Sequence, residues 1–193
     1  MMQNDYLNEQ FLAHISEERI QTVLEHLQGT ARLSASYADA FGAADQGRLL
    51  GLAHDIGKCS KEFQERLRGG NIVDHASAGA LECIKTDPEA MWAACCIAGH
   101  HGGLPDVGNM KMDQEGDATL CGRIKKAAAG MIPPYKMPLD IPVTASPPGY
   151  GENALEDSFI IRMLYSCLVD ADYLDTEMFM DNKSMYSHCS CRD

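Results

Sequence analysis

Apolar residues three and four positions apart recur along most of this chain, and glycine or proline interrupts the pattern at short intervals. Because an α-helix turns once in about 3.6 residues, this spacing places such residues on one helical face. The longest early example lies between Gln21 and Phe41, where the apolar face consists of Val23, Leu27, Ala31, Ala35, Ala38 and Phe41. Segments of this kind dominate the sequence, which therefore predicts an all-α fold.

Cap and stop signals divide the rest of the chain into further helices. The predicted helices run from Asp45 to Ile56 with Gly57 as a left-handed stop, from Ser60 to Arg68, from His75 after an Asp74 cap, from Asp87-Pro88 to Gly99, from Asp117 to Gly130, and from about Glu152 to Met180. The stretches 104–116 and 132–151 are predicted to be irregular, the second because it is rich in proline.

Length and composition favour one domain in a soluble setting. A chain of 193 residues can bury one sizeable core but is short for two typical domains, so we expect residues 1–193 to form a single domain. The longest apolar run, Met91 to Gly99, is far shorter than the stretch of about 20 residues that crosses a bilayer. The first ten residues lack the basic and apolar regions of a secretory signal. We therefore expect a cytoplasmic protein without membrane association.

The cysteines do not suggest a disulfide framework. None of them forms a C-x-x-C pair, and most lie within the apolar helical pattern. The eight positions are Cys59, Cys83, Cys95, Cys96, Cys121, Cys167, Cys189 and Cys191. We interpret them as reduced core thiols, and the tail His188 to Cys191 as a frayed C-terminus rather than a metal site.

Histidine and aspartate supply the strongest chemical signal. Five of the seven histidines stand on, or at the ends of, four separate predicted helices, several beside a second histidine or an aspartate: His26, His54-Asp55, His75 and His100-His101, followed by the acidic Asp170-Ala171-Asp172. Imidazole and carboxylate are ligands of divalent transition metals, and a shared carboxylate can bridge two ions. Six or seven such ligands suit a site for two metal ions better than a site for one. His14 and His188 lack such context, and we expect them to lie outside the site.

Five segments, in this order, resemble one family closely: LEHLQGTA, GLAHDIGKCSKEFQ, DHASAGA, GHHGGLPD and LVDADYLDTE. They are similar to the HD nuclease domain of the CRISPR-associated type I interference helicase-nuclease, within the HD superfamily of metal-dependent phosphohydrolases. They span His26 to Glu177. The resemblance implies a helical bundle that holds metals between its helices.

The same resemblance implies a ligand set. One metal would be held by His26, His54, Asp55 and an aspartate of the Asp170-Ala171-Asp172 segment. Asp55 would bridge to a second metal, whose other ligands would be His75, His100 and His101. The ions would be Mn, Fe, Co, Ni or Mg, and ligation rich in histidine favours transition metals over Mg.

The position of Asp170 and Asp172 on the last helix separates their roles. Residues two apart on a helix point about 200° away from each other, so only one of them can face the metals. Asp172 continues the apolar stripe of Ile161, Leu164 and Leu168. We therefore predict that Asp172 is the ligand, and that Asp170 pairs with a surface cation or orients a ligand histidine.

Asp55 and Lys58 are the predicted catalytic residues. Two bound cations would clamp a phosphodiester and activate a water, so no protein nucleophile is required. The Lys58 ammonium could stabilise charge on the phosphate oxygens. The alternative for Lys58 is a solvated lysine at a helix C-terminus, which the helix dipole alone would favour.

The resemblance also implies a substrate and partners. The substrate would be single-stranded DNA, exposed by an RNA-guided surveillance complex and supplied by a helicase domain or subunit. The net charge of −12 argues against a large nucleic-acid footprint, although two divalent ions would offset part of it. The chain has no G-x-x-x-x-G-K-[ST] phosphate loop, so it contains no helicase motor. It is either a stand-alone nuclease subunit or the N-terminal domain of a longer protein.

Two other functions suit the same residues. An HD hydrolase could act on nucleotides or cyclic nucleotides, because the ligand set fits any phosphoester. An HD module could also serve only to dock a partner, with a site that no longer catalyses.

Overall fold

A computed structural model of the protein describes residues 10–16 and 18–181. Over these residues the chain forms seven α-helices, two 3-10 turns and one antiparallel hairpin, so the predicted all-α class is confirmed. The hairpin strands are β1 (Leu12–Ile15) and β2 (Ile20–Thr22), and the helices are α1 (Val23–Ala38), α2 (Ala44–Ala53), α3 (Lys61–Arg66), α4 (Ala76–Thr86), α5 (Met91–Gly99), α6 (Leu120–Ala128) and α7 (Ala154–Met180). The 3-10 turns are Asp39–Phe41 and Ile56–Cys59.

Helices α1, α2 and α7 pack together, and α4 and α5 close the bundle on the other side. Thr22 caps α1 in a reciprocal capping box with Glu25. The backbones of α1 and α2 lie in contact at Gly51, where a Cβ would overlap the backbone of Ala31. The largest fully buried apolar side chains belong to one core cluster and include Leu27, Leu50, Ile56, Trp92, Ile97, Leu120, Leu164 and Leu168.

The predicted second helix is too long, and its predicted stop is wrong. Helix α2 ends at Ala53, so His54 and Asp55 follow the helix instead of lying in its last turn. Gly57 is not among the glycines with a positive φ. A side chain at this position would collide with the backbone of His75, which explains the glycine. Close approach of two chain segments, rather than a left-handed turn, therefore requires glycine here.

Two predicted helix starts are also wrong. Asp87 ends α4, and its Oδ1 accepts a hydrogen bond from the Glu89 N–H at 2.9 Å, so α5 begins only at Met91. Thr119, rather than Asp117, caps α6. In both places an aspartate forms a local turn that competes with the helix.

The six cysteines within the described ranges are free and buried, as predicted, whereas Cys189, Cys191 and His188 lie outside those ranges. Across residues 10–16 and 18–181, no helix has both the length and the apolar character needed to cross a membrane.

Candidate metal centre

The seven residues predicted as metal ligands converge on one place in the bundle. Helices α1 and α7 contribute a histidine and an aspartate from their middles, and the other ligands lie where α2 and α5 end and α4 begins. Among the described residues they form two groups of possible ligands, namely His26, His54, Asp55 and Asp172, which we call the His26 group, and Asp55, His75, His100 and His101, which we call the His75 group.

The His26 group is compact and buried. Nε2 of His26 lies 3.3 Å from Nε2 of His54 and 3.2 Å from Oδ1 of Asp172. Oδ2 of Asp55 lies 3.3 Å from each of the two imidazole nitrogens. Metal bonds of about 2.1 Å place neighbouring ligand atoms about 3.0 to 3.4 Å apart in octahedral or tetrahedral geometry. The spacing of the four ligand atoms therefore fits a single cation.

The His75 group uses the other oxygen of the same aspartate. Oδ1 of Asp55 lies 3.5 Å from Nε2 of His75 and 3.4 Å from Nε2 of His100. Nε2 of His75 lies 2.7 Å from Nε2 of His101. His101 is exposed, whereas the other three residues are buried. This group is therefore the one that opens toward solvent.

The Asp55 carboxylate belongs to both groups, and its two oxygens make no hydrogen bonds with the described residues. Both of its oxygens are buried, and neither accepts a hydrogen bond from any residue in the described part of the chain. The Lys58 ammonium lies 2.6 Å from Oδ2 and forms an ion pair, but not in hydrogen-bond geometry. Nε2 of His100 is buried and equally unsatisfied. Because buried polar atoms are normally paired, these atoms fit a site that holds cations.

The tautomers of the histidines agree with this conclusion. In four of them Nδ1 faces an oxygen that can only accept, so Nδ1 carries a proton and Nε2 is the nitrogen that is left to bind a cation. The pairs are His26 with Asp175 Oδ2 at 2.8 Å, His54 with Gly51 O at 2.9 Å, His75 with Val73 O at 3.0 Å and His100 with Ile97 O at 2.7 Å. Nε2 atoms and carboxylate oxygens thus face one another at short range, and a cation that replaces the protons on Nε2 would be bound by both.

The charged side chains of the His26 group shift one another's pKa values. Burial lowers the pKa of His54, but the carboxylates of Asp55 and Asp172 overcome this effect and raise it to about 10. The pKa of His26 is also raised, because Asp172 and its neighbours outweigh burial. Burial raises the pKa of Asp55, yet Lys58 and His54 hold it well below its usual value. Since metal ligands must be deprotonated, binding of a cation here would release protons.

Asp175 lies beside the His26 group and was not among the predicted site residues. Its Oδ2 accepts hydrogen bonds from Nδ1 of His26 and Nε2 of Gln21, both at 2.8 Å. The close approach of α7 depends on Gly29, because a Cβ there would overlap the Asp175 carboxylate. Asp175 follows Asp172 by three positions, which places it on the same helical face. That spacing was a usable signal in the sequence.

Lys58 and His14 also lie at the site. Lys58 is only 5% exposed, so it is not the solvated lysine considered as the alternative. The expectation that His14 lies outside the site is wrong: its ring packs edge-on against His26, with centroids 4.9 Å apart, and its Nε2 lies 3.4 Å from the Lys58 ammonium. The hairpin of β1 and β2 brings His14 back over the start of α1, and the sequence pattern did not predict this hairpin.

A cleft of about 750 Å³ opens onto the His75 group. Its walls include His75 and His101 and carry positive charge, although the chain as a whole has a net charge of −12. Among the described residues, the cationic side chains that line it are Lys58, Arg66, Arg123 and Lys126. Asp74 and Asp117 line it as well, and Asp74 pairs with Lys126 at 3.2 Å. We call this feature the cationic cleft.

The structure turns Asp172, and not Asp170, toward the imidazoles. Asp172 Oδ1 lies 3.2 Å from His26 Nε2 and 3.5 Å from His54 Nε2, whereas Asp170 is exposed. Asp175, rather than Asp170, orients a histidine of the group.

Replacement of the two aspartates should therefore have unequal effects. We expect Asp172→Asn to weaken Mn²⁺ binding by more than about 10- to 100-fold, which is the usual cost of losing an outer partner of a ligand. Asp170→Asn, the matched control, should bind Mn²⁺ like the wild type. Isothermal titration of both variants measures the difference, and a larger loss in the Asp170 variant would reverse the assignment.

The model of the family described as HD domain matches residues 23–134, which is more than half of the chain. The match begins at the first residue of α1 and includes both groups except Asp172, which lies beyond it on α7. No curated protein matches the chain.

Proposed function

Because this chain belongs to the HD domain family, whose members are metal-dependent phosphohydrolases, we propose that it cleaves phosphodiester bonds of single-stranded DNA. One observation carries the proposal. Two groups of histidines share the carboxylate of Asp55, and one of these groups faces the cationic cleft. A two-cation site that opens, at His75 and His101, onto a positively charged cleft suits hydrolysis of a phosphoester.

The residues of the two groups have distinct tasks in this proposal. His26, His54 and Asp172 would hold one divalent ion, and His75, His100 and His101 a second, with Asp55 shared between the two groups. Bound divalent ions supply neutralisation of the phosphate charge and an activated water. The five imidazoles favour Mn, Fe, Co or Ni over Mg.

Lys58 serves the substrate rather than the ions. Its ammonium lies beside the Asp55 carboxylate and lines the cationic cleft, where it can contact a phosphate oxygen of the substrate. The buried His26 group keeps bulk water away from one side of the reaction, and the exposed His101 marks the side from which substrate enters.

The distribution of charge supports a polymeric substrate. Arg66 on α3 and both Arg123 and Lys126 on α6 line the cleft together with Lys58, whose ammonium lies beside Asp55. A nucleic-acid strand carries phosphates on both sides of the bond that is cleaved, and basic residues near the reacting phosphate can neutralise them. The net charge of −12 argued against binding of nucleic acid, but the positive charge of the cleft lies where the strand would bind.

The proposed partners follow from the resemblance of the five sequence segments. We propose that a helicase domain or subunit supplies the strand after an RNA-guided surveillance complex has opened the duplex, in the cytoplasm. Residues 1–193 would then act as one nuclease domain.

Substrate choice tests the proposal against its alternatives. The purified chain, given Mn²⁺ or Co²⁺ and no ATP, should cut circular single-stranded DNA and leave mononucleotides and cyclic nucleotides intact. Asp55→Ala protein, purified in the same way, controls for contaminating nucleases. Hydrolysis of nucleotides with intact circular DNA would establish the small-molecule alternative, and metal-loaded protein without activity on any phosphoester would establish the docking module.

A further inference from the structure

His14 lies at a place in the hairpin where the strand pairing is irregular. Along β1, the register against β2 shifts between Leu12 and His14. Such irregularities re-aim a side chain relative to a regular strand. Here the imidazole lies partly buried over α1, edge-on to His26, and it lines the cationic cleft.

Nε2 of His14 faces two side chains that can donate to it. The Lys58 ammonium and the Thr176 hydroxyl each lie 3.4 Å from this nitrogen. An ammonium group can only donate, so the contact requires that Nε2 of His14 accepts. Thr176 follows Asp175 on α7, so the same stretch of helix supports both His14 and His26.

The Lys58 ammonium is held on three sides. Asp55 Oδ2 lies 2.6 Å away, His14 Nε2 lies on a second side, and the Phe63 ring centroid lies 5.7 Å away on a third. A lysine side chain has many rotamers, and fixing one of them costs entropy. Contacts that select one rotamer before substrate arrives therefore spare that cost during the reaction.

We infer that His14 is a positioning residue, whose Nε2 accepts a hydrogen bond from Lys58 and holds the ammonium at the cleft beside Asp55. The inference rests on the proposed function, in which Lys58 contacts the substrate phosphate. It assigns a role to a histidine that belongs to neither ligand group.

A matched pair of polar substitutions tests this role. In His14→Gln the side chain still reaches as far as the imidazole Nε2 and can accept, whereas in His14→Asn it is one bond too short. With Mn²⁺ and a single-stranded oligonucleotide, we expect His14→Asn to lower kcat by about 10- to 100-fold with KM and bound metal unchanged. His14→Gln should recover most of the rate. Loss of metal in His14→Asn, or an equal loss of rate in His14→Gln, would show instead that the ring supports His26 by packing.

Combination with Lys58→Ala shows whether His14 acts through Lys58. If it does, the double variant His14→Asn/Lys58→Ala should be no slower than Lys58→Ala alone, because the interaction is already lost. A further loss of the same size as in the single His14 variant would overturn the inference.

A second readout does not need an active enzyme. Release of Lys58 in His14→Asn should increase its acetylation by an amine-reactive ester, measured by mass spectrometry. Lys61, whose side chain is 85% exposed, is the internal control and should label equally in both proteins. Unchanged labelling of Lys58 would refute the inference. Wild-type protein without cleavage activity would refute the proposed function, so the two failures are distinguishable.

Discussion

Asp55→Ala is expected to lower the rate of phosphodiester cleavage by at least about 1,000-fold, which is more than any single histidine substitution should cost. The reason is the position of the carboxylate. Oδ2 lies 3.3 Å from His26 and His54, while Oδ1 lies 3.5 Å from His75 and 3.4 Å from His100. Loss of this one side chain removes a ligand from both groups, whereas His26→Ala removes a ligand from one.

Removal of Asp55 also changes the charge around the remaining residues. The carboxylate is the ion-pair partner of Lys58 and raises the pKa of His54. The variant should therefore be compared with wild type by circular dichroism and thermal melting, so that a folding defect is not mistaken for a catalytic one. Asp170→Asn, in an exposed position of α7, is the control for loss of an acidic residue. Folded Asp55→Ala protein that cleaves like wild type would place the active site elsewhere.

Local sequence patterns predicted those parts of the fold and site that depend on local geometry. The spacing of Leu164 and Leu168 fixed the inward face of the last helix, and the same period placed Asp172 on that face and Asp170 off it. His54 and Asp55 could be placed together because they are adjacent at the end of a helix. These features depend on the helical repeat or on adjacency in the chain, and both can be recognised within one short stretch of sequence.

Features that depend on contacts between distant segments were missed. His14 reaches the site only because β1 and β2 pair, and each strand has too few residues to show a clear alternation. Asp175 reaches His26 only because Gly29 leaves room for α7. The role of Gly57 likewise depends on a distant segment of the chain. A glycine in the sequence indicates either a left-handed turn or a close approach, and only the neighbouring backbone of His75 decides between them.

Removal and return of the metal test the central claim most directly. Protein stripped with EDTA and dialysed should leave circular single-stranded DNA uncut, because the Asp55 oxygens and the imidazole lone pairs can organise a phosphodiester only around bound cations. Titration with Mn²⁺, without ATP, should restore cleavage as two equivalents of metal bind per chain, counted by elemental analysis of the same samples. Cleavage that continues at the wild-type rate after exhaustive chelation, with no metal detected in the protein, would contradict the account.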